Sequence, residues 1–331
     1  MDIIATIAFV LFFSFIFSFI FKKIKIPNVV ALILFGLVLN VPSMKEIFIE
    51  SNSNFLFALG DIALVSLMFI AGLETSWTFF YKEKKDAVYI AVFAWLIPFL
   101  LGFAVFMMLG FSLMVSLIVS LCLSITAEAT KARVLLELNK IKTRLGAAMM
   151  GAGIIDDILG LLFFVLITYA FGSYFIEDLL IVGAIIAFFT GIMVHKKIGR
   201  KHNAVKSLER LLMLAVIPFF FVSIGIHFDL NSLMLDPLTL LITIIIAITG
   251  KLIGTFLTKP FNHFRFRKLL LIGWGMNSRG AIGMALALIA FRNSIIPIEL
   301  YSSLVIMALT TTIIFPFIVT YLIRKDPHLM D

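Results

Sequence analysis

Apolar runs close to the thickness of a bilayer alternate with short clusters of charge along the whole chain. Residues 3–21 carry no charged side chain, and comparable runs recur to the C-terminal end. A helix needs ~20 such residues to cross the hydrocarbon core, so the pattern predicts about eleven spans. They fall near residues 3–21, 28–41, 54–74, 87–109, 112–136, 145–171, 178–194, 211–227, 237–258, 269–291 and 297–323. Turn formers separate most of them, as at Ile26-Pro27-Asn28, Val41-Pro42-Ser43 and Lys259-Pro260. The apolar residues fill whole runs, where a soluble helix would show a stripe. The pattern defines an all-α polytopic membrane protein.

Composition agrees, with 62% apolar and 14% charged residues against ~25% charged in soluble domains. The basic residues also test the division into spans. All but four of the 27 lie in odd-numbered connections or after the last span, with Lys131 and Arg133 taken at the inner end of the fifth span. Even-numbered connections hold only Lys45 and Arg292. The positive-inside rule then places the N-terminus outside and the C-terminus in the cytoplasm. A wrong helix count would scramble that alternation. The net charge of +8 is therefore a topology signal, not a nucleic-acid surface. The first run lacks a basic n-region and an A-x-A cleavage site and is followed by Lys22-Lys23, so it reads as a span and not as a cleaved signal. A lone cysteine, Cys122, excludes an intrachain disulfide. The longest connection, His195 to Arg210, reads as a solvated basic loop, and no soluble regulatory domain is expected.

The remaining basic residues, Lys251 and Arg279, lie inside spans. An ionisable group at membrane depth costs at least ~2.5–3.5 kcal/mol and marks a partner or a water-filled cavity. The strongest such feature is Gly151-Ala-Gly-Ile-Ile-Asp156-Asp157-Ile-Leu-Gly160. Asp156 lies ~18 Å along its helix from Arg144, and successive side chains point ~100° apart. One carboxylate can then face a cavity while the other meets a neighbouring helix. Carboxylates this close resist ionising together, which suits alternate occupation by protons and a hard cation. Lys251, on a helix running the opposite way at similar depth, is expected to pair with Asp156 when no cation is bound.

Two spans carry breakers at mid-length. The fifth holds Ser124-Ile-Thr126-Ala-Glu128-Ala-Thr130-Lys131, the tenth Gly273-Trp-Gly275-Met-Asn277-Ser278-Arg279-Gly280. Non-helical backbone at depth is tolerated only where it lines a cavity or is buried in protein. Paired interrupted helices in two halves point to a transport site. Helices four to six and nine to eleven would form an inverted repeat, each with its breaker segment in the middle. Ser124, Glu128, Asn277, Ser278 and Arg279 are candidates to support the breaks. Asp61 reads as structural and Glu74 as the inner end of the third span.

These residues resemble the cation:proton antiporter superfamily, in the branch of bacterial sodium/proton antiporters and potassium-efflux transporters. The resemblance rests on Ile26-Pro-Asn-Val-Val-Ala-Leu-Ile-Leu-Phe-Gly36, Leu67-Met-Phe-Ile-Ala-Gly-Leu-Glu74, the Thr126 segment followed by Arg133-Val-Leu-Leu-Glu-Leu138, and the double aspartate. Pro218-Phe-Phe-Phe-Val-Ser-Ile-Gly225, Gly250-Lys251-Leu-Ile-Gly254 and Ser278-Arg279-Gly280 complete it. It implies a sodium/proton antiporter-like fold with two crossed, broken helices. It also implies a single transporter domain over residues 1–331, with core elements 87–171 and 237–323 and dimerisation or scaffold elements 1–74 and 178–227. The core would carry ions in an elevator-like movement, in a homodimer in the inner (cytoplasmic) membrane. Asp157 would be the principal cation and proton carrier, Asp156 the partner of Lys251, Thr126 a neighbour of the ion, and Arg279 a support of the second break. Adjacent aspartates resemble the electrogenic sodium/proton members. The chain departs from the family in lacking a further pair of helices before Pro218, and in placing Glu128 after the first break.

The expected function is exchange of a monovalent cation, Na⁺ or Li⁺, for protons by competition at Asp156, Asp157 and Thr126, without a cofactor. The alternatives are a K⁺/H⁺ exchanger on the same scaffold or a passive cation channel. An intramembrane aspartyl protease would need its acids on facing helices and a Gly-x-Gly-Asp segment, so no enzyme is expected.

Overall fold

A computed structural model describes residues 2–24, 26–48, 52–74, 84–171, 179–200 and 202–330, and among these there are helices and connections but no strand. Helix α1 (Ile3–Lys23) ends on Lys22 and Lys23, and α2 (Asn28–Leu39) starts after Pro27. Then follow α3 (Pro42–Phe48), α4 (Ser53–Glu74), α5 (Lys84–Met108), α6 (Leu113–Ser124), α7 (Glu128–Glu137) and α8 (Arg144–Ala170). The chain continues with α9 (Leu179–Lys197), α10 (Asn203–Leu211), a π-helical turn over Leu212–Val216, and α11 (Ile217–Ile226). It closes with α12 (Leu230–Leu235), α13 (Pro237–Leu257), α14 (Phe266–Gly275), α15 (Ala281–Arg292) and α16 (Ile298–Lys325). Several starts are set by side-chain caps that satisfy orphan amides. Ser112 accepts from Val115 N at 3.3 Å, Thr143 from Gly146 N at 3.1 Å and Asp236 from Thr239 N at 3.0 Å.

Nine helices among the described residues are long and apolar enough to span a membrane, or up to ten if α2 and α3, bent by 91°, form one span. The eleven expected spans are therefore not all matched by this criterion. The expected span at 269–291 is divided into α14 and α15, each too short to cross alone. Pro42 was expected to separate two spans; it opens α3, where its missing N–H leaves no bond unmade. The connection expected as a solvated loop from His195 to Arg210 contains α10. Arg200 there donates to Glu74 at 2.9 Å and through Nε to Glu209 at 3.1 Å. The hydrogen bond to Glu209 chiefly, with the Glu74 carboxylate, holds its guanidinium above the ordinary value. Arg200 stays charged throughout the accessible pH range.

The chain divides into two compact units, Met1–Thr75 with Asp178–Asp229, and Ser76–Glu177 with Leu230–Asp331. In the first unit, helices cross where glycine removes the side chain. A Cβ at Gly36 would strike the Val222 carbonyl, and one at Gly225 the Ile33 carbonyl. Gly72 and Gly191 bring α4 and α9 together in the same way. In the second unit α5 packs on α6, α8 and α13. Gly250 and Gly254 admit the backbone of α5 at Pro98 and Phe93. Arg144, opening α8, reaches Asp86 on the first turn of α5 at 2.9 Å. Each half of this unit runs long helix, interrupted helix, long helix: α5, α6/α7, α8, and then α13, α14/α15, α16.

Candidate ion site at two interrupted helices

Helix α6 stops at Ser124, because the next residues turn extended, with Ile125 at φ −75°, ψ 139° and Ala127 at φ −82°, ψ 109°. Helix α14 stops at Gly275, and residues 277–280 are non-helical until α15 begins. The two breaks bond to each other. Ala127 N donates to Ser278 O at 2.8 Å, and Ser278 Oγ donates to Ala127 O at 3.1 Å. Thr126 Oγ1 donates to Met276 O at 3.2 Å.

Backbone groups freed at depth need partners, since lipid offers none. Buried side chains supply them. Arg279 donates to Ile125 O at 3.3 Å and to Ala247 O at 2.8 Å, and its own carbonyl accepts from Thr312 at 3.0 Å. Asn277 donates to Gly273 O at 3.1 Å and to Ile248 O at 3.4 Å. The negative ends of α6 and α14 therefore meet cationic or amide donors, as their dipoles favour.

Lys251, in the middle of α13, is fully buried and saturates its three donors. It donates to Ser124 O, to Thr126 Oγ1 at 2.7 Å and to Asp156 Oδ1 at 3.0 Å. Asp156 Oδ2 accepts from Thr126 N at 2.6 Å. Asp156 is thus fixed by a buried ammonium and a broken-helix amide at once. Asp157 is also buried but retains 6% exposure, against 0% for Asp156. Their neighbouring positions on α8 direct them ~100° apart. Asp156, Thr126 and Lys251 are brought into direct contact, with Asn277, Ser278 and Arg279 at the second break. Ser124 takes part through its carbonyl, while its hydroxyl stays within α6 on Ser120 O at 2.8 Å. Glu128 opens α7 and is half-buried. Glu74 and Asp61 lie in the other unit. No cluster of three metal-ligating side chains occurs among the described residues. A transported monovalent ion would draw on carboxylate, hydroxyl and carbonyl oxygens.

One expectation is corrected. Lys131, counted with the basic residues at an inner helix end, is fully buried and donates to Met276 Sδ at 3.5 Å. The break at residues 125–127 places it on the first turn of α7, buried beside the second break.

Two interrupted helices bonded to each other at their breaks, around buried charge, define an integral membrane secondary transporter. The family model described as sodium/hydrogen exchanger, transmembrane, matches residues 8–193 and 163–325. The chain belongs to this family, whose members exchange cations for protons and are transporters, not enzymes. It is 26% identical to a Na⁺/H⁺ antiporter of Enterococcus hirae, over 98% of this chain and 99% of that protein. It is 24% identical to the Na⁺/H⁺-K⁺ antiporter GerN of Bacillus cereus, over 89% of each. Among solved structures it resembles the sodium proton antiporter MjNhaP1 of Methanocaldococcus jannaschii, with a TM-score of 0.68 and 18% identity, over 97% of this chain and 96% of that one.

Proposed function

We propose that this protein exchanges a monovalent cation, Na⁺ or Li⁺, for protons by competition at Asp156 and Asp157. The observation that carries the reading is the buried Lys251–Asp156 ion pair beside Asp157, at the meeting of the two interrupted helices. In the cation-free state Lys251 neutralises Asp156, and Asp157 takes the proton. An arriving cation is held by the Asp157 carboxylate, Asp156 and the Thr126 hydroxyl. Lys251 is then left with Ser124 O and Thr126 Oγ1, partners that hold it without a carboxylate. Two carboxylates this close resist ionising together, so a proton or a cation is needed to settle the charge of the site.

The unit formed by Ser76–Glu177 and Leu230–Asp331 carries the site and moves as the elevator; the other unit is the dimerisation scaffold. The orientation is N-terminus outside and C-terminus in the cytoplasm. If Lys251 also gives up its proton when the cation takes Asp156, two protons leave per cation and one net charge crosses per cycle, worth ~2.3 kcal/mol per 100 mV. A K⁺/H⁺ reading on the same residues draws support from GerN, whose name includes both ions.

The test is purified protein in liposomes with an acid interior and an internal pH dye, given Na⁺, Li⁺ or K⁺ in turn. Wild type should alkalinise the lumen with one or more of these cations, and Asp157→Asn should abolish the response. A folded wild type that answers none of them contradicts the reading.

A further inference from the structure

Among the described residues of the second unit, three cations are fully or nearly buried, and they are satisfied very differently. Lys251 reaches three oxygen acceptors, including a carboxylate. Arg279 reaches two backbone carbonyls. Lys131, at 0% exposure, makes its hydrogen bond to the thioether of Met276, a weak acceptor for an ammonium. A buried charge held so loosely is costly, and it is commonly found where charge must move.

The position of Lys131 relative to the aspartates is fixed by Gly153. A Cβ built on Gly153 would fall 2.5 Å from Lys131 Nζ and 3.5 Å from Glu128 Cδ. The bare backbone of α8 therefore makes room for this ammonium, with the Glu128 carboxylate next to it. Gly153 lies four residues before Asp157, on the same face and ~6 Å along the axis. That rise is within the swing of a lysine side chain. The carboxylates whose charges act on Lys131 are Glu128 on its own helix, and Asp156 and Asp157 on α8. It also acts on Lys251 across the site.

We propose that the Lys131 ammonium is a tethered competitor of the transported cation. When Asp157 holds neither a proton nor a cation, the ammonium supplies positive charge to the Glu128 and Asp157 carboxylates. It lies against Met276, as in this structure, when a proton or a cation occupies Asp157. The apparent affinity for the cation is thereby set lower than the carboxylates alone would give, which favours release after each crossing. This proposal rests on the reading of Asp157 as the ion-carrying carboxylate.

The experiment measures initial transport rates against cation concentration in proteoliposomes for wild type, Lys131→Gln, Lys131→Met and Lys131→Arg, with thermal stability recorded in detergent. Methionine matches the length of the lysine stem, and replacing a buried charge by a well-packed apolar side chain is tolerated by many folds. Removing a positive charge one helical turn from the site should lower the apparent KM by at least about fivefold in both neutral variants. Lys131→Arg should stay within about twofold of wild type, since it keeps the charge. A merely structural lysine would give a lower maximal rate or a higher KM. Folded neutral variants with unchanged or raised KM overturn the proposal. So does misfolding of both neutral variants beside a stable Lys131→Arg, because the ammonium would then serve the fold. A wild type that does not transport any cation fails the parent reading instead, and is distinguishable from either result.

Discussion

The two compact units face the same lipid problem and answer it in different ways. In the unit formed by Met1–Thr75 and Asp178–Asp229, helices meet at glycines, and the ion pairs gather at helix ends, as at Arg200, Glu74 and Glu209. The unit of Ser76–Glu177 and Leu230–Asp331 also buries charge inside helices and at their breaks: Lys131, Asp156, Asp157, Lys251 and Arg279. The first arrangement gains close van der Waals contact and keeps its ion pairs partly exposed at helix ends. The second accepts a large desolvation cost, offset by freed carbonyls and amides of interrupted helices. A membrane protein can therefore host charge at depth where it also breaks its backbone, because each defect satisfies the other.

The sharpest way to break this contrast is to remove one member of the buried pair. Asp156→Ala should leave Lys251 without its carboxylate and cost about 3–5 kcal/mol, read as a fall in the thermal midpoint of the detergent-solubilised protein. The double variant Asp156→Asn with Lys251→Met should recover much of that stability and still fail to transport. Recovery of both would show that the pair is structural.

A smaller loss is expected in the glycine-packed unit. Gly225→Ala places a methyl group against the Ile33 carbonyl and the backbone at Gly36 and Leu37. Forcing α2 and α11 apart should cost about 1–3 kcal/mol. Transport by the protein that remains folded should keep its KM, because this unit holds none of the proposed ion ligands.

The smallest effect lies two residues from the buried Lys131. Arg133 pairs with Glu137 at 3.1 Å, and both side chains are about half exposed at 46% and 57%. Arg133→Ala should change stability by less than about 0.5 kcal/mol, and transport kinetics should be unaltered. A large effect would mean that α7 is held by its outer face as well as by its buried lysine.

The same comparison explains what could be read in the residue pattern. Asp156, Asp157, Lys251 and Arg279 stood out because apolar neighbours on both sides left no surface for them to reach. The breaks were visible because serine, asparagine and glycine interrupt otherwise unbroken apolar runs. Lys131 was hidden by its company. Arg133, Lys140 and Lys142 follow it, so it reads as the start of a basic helix end. The missing information was depth: three non-helical residues precede α7, and a lysine on that first turn sits level with the break. Its spacing of three residues from Glu128, which opens the half-helix, was the available signal. The 91° bend between α2 and α3 was likewise read as a boundary, since a proline at the first position of a helix and a proline in a turn look alike in a sequence.

Competition between protons and a cation for the same carboxylates is the central claim. Its most direct measurement is the apparent KM for the cation in proteoliposomes at a series of pH values, with the pH gradient held constant. If the ligands are shared, KM should rise about tenfold for each unit of acidification below the titration of the site, while the maximal rate at saturating cation stays nearly constant. A KM that does not change with pH, accompanied by a falling maximal rate, would mean that protons and cation bind to different groups, and would contradict the account.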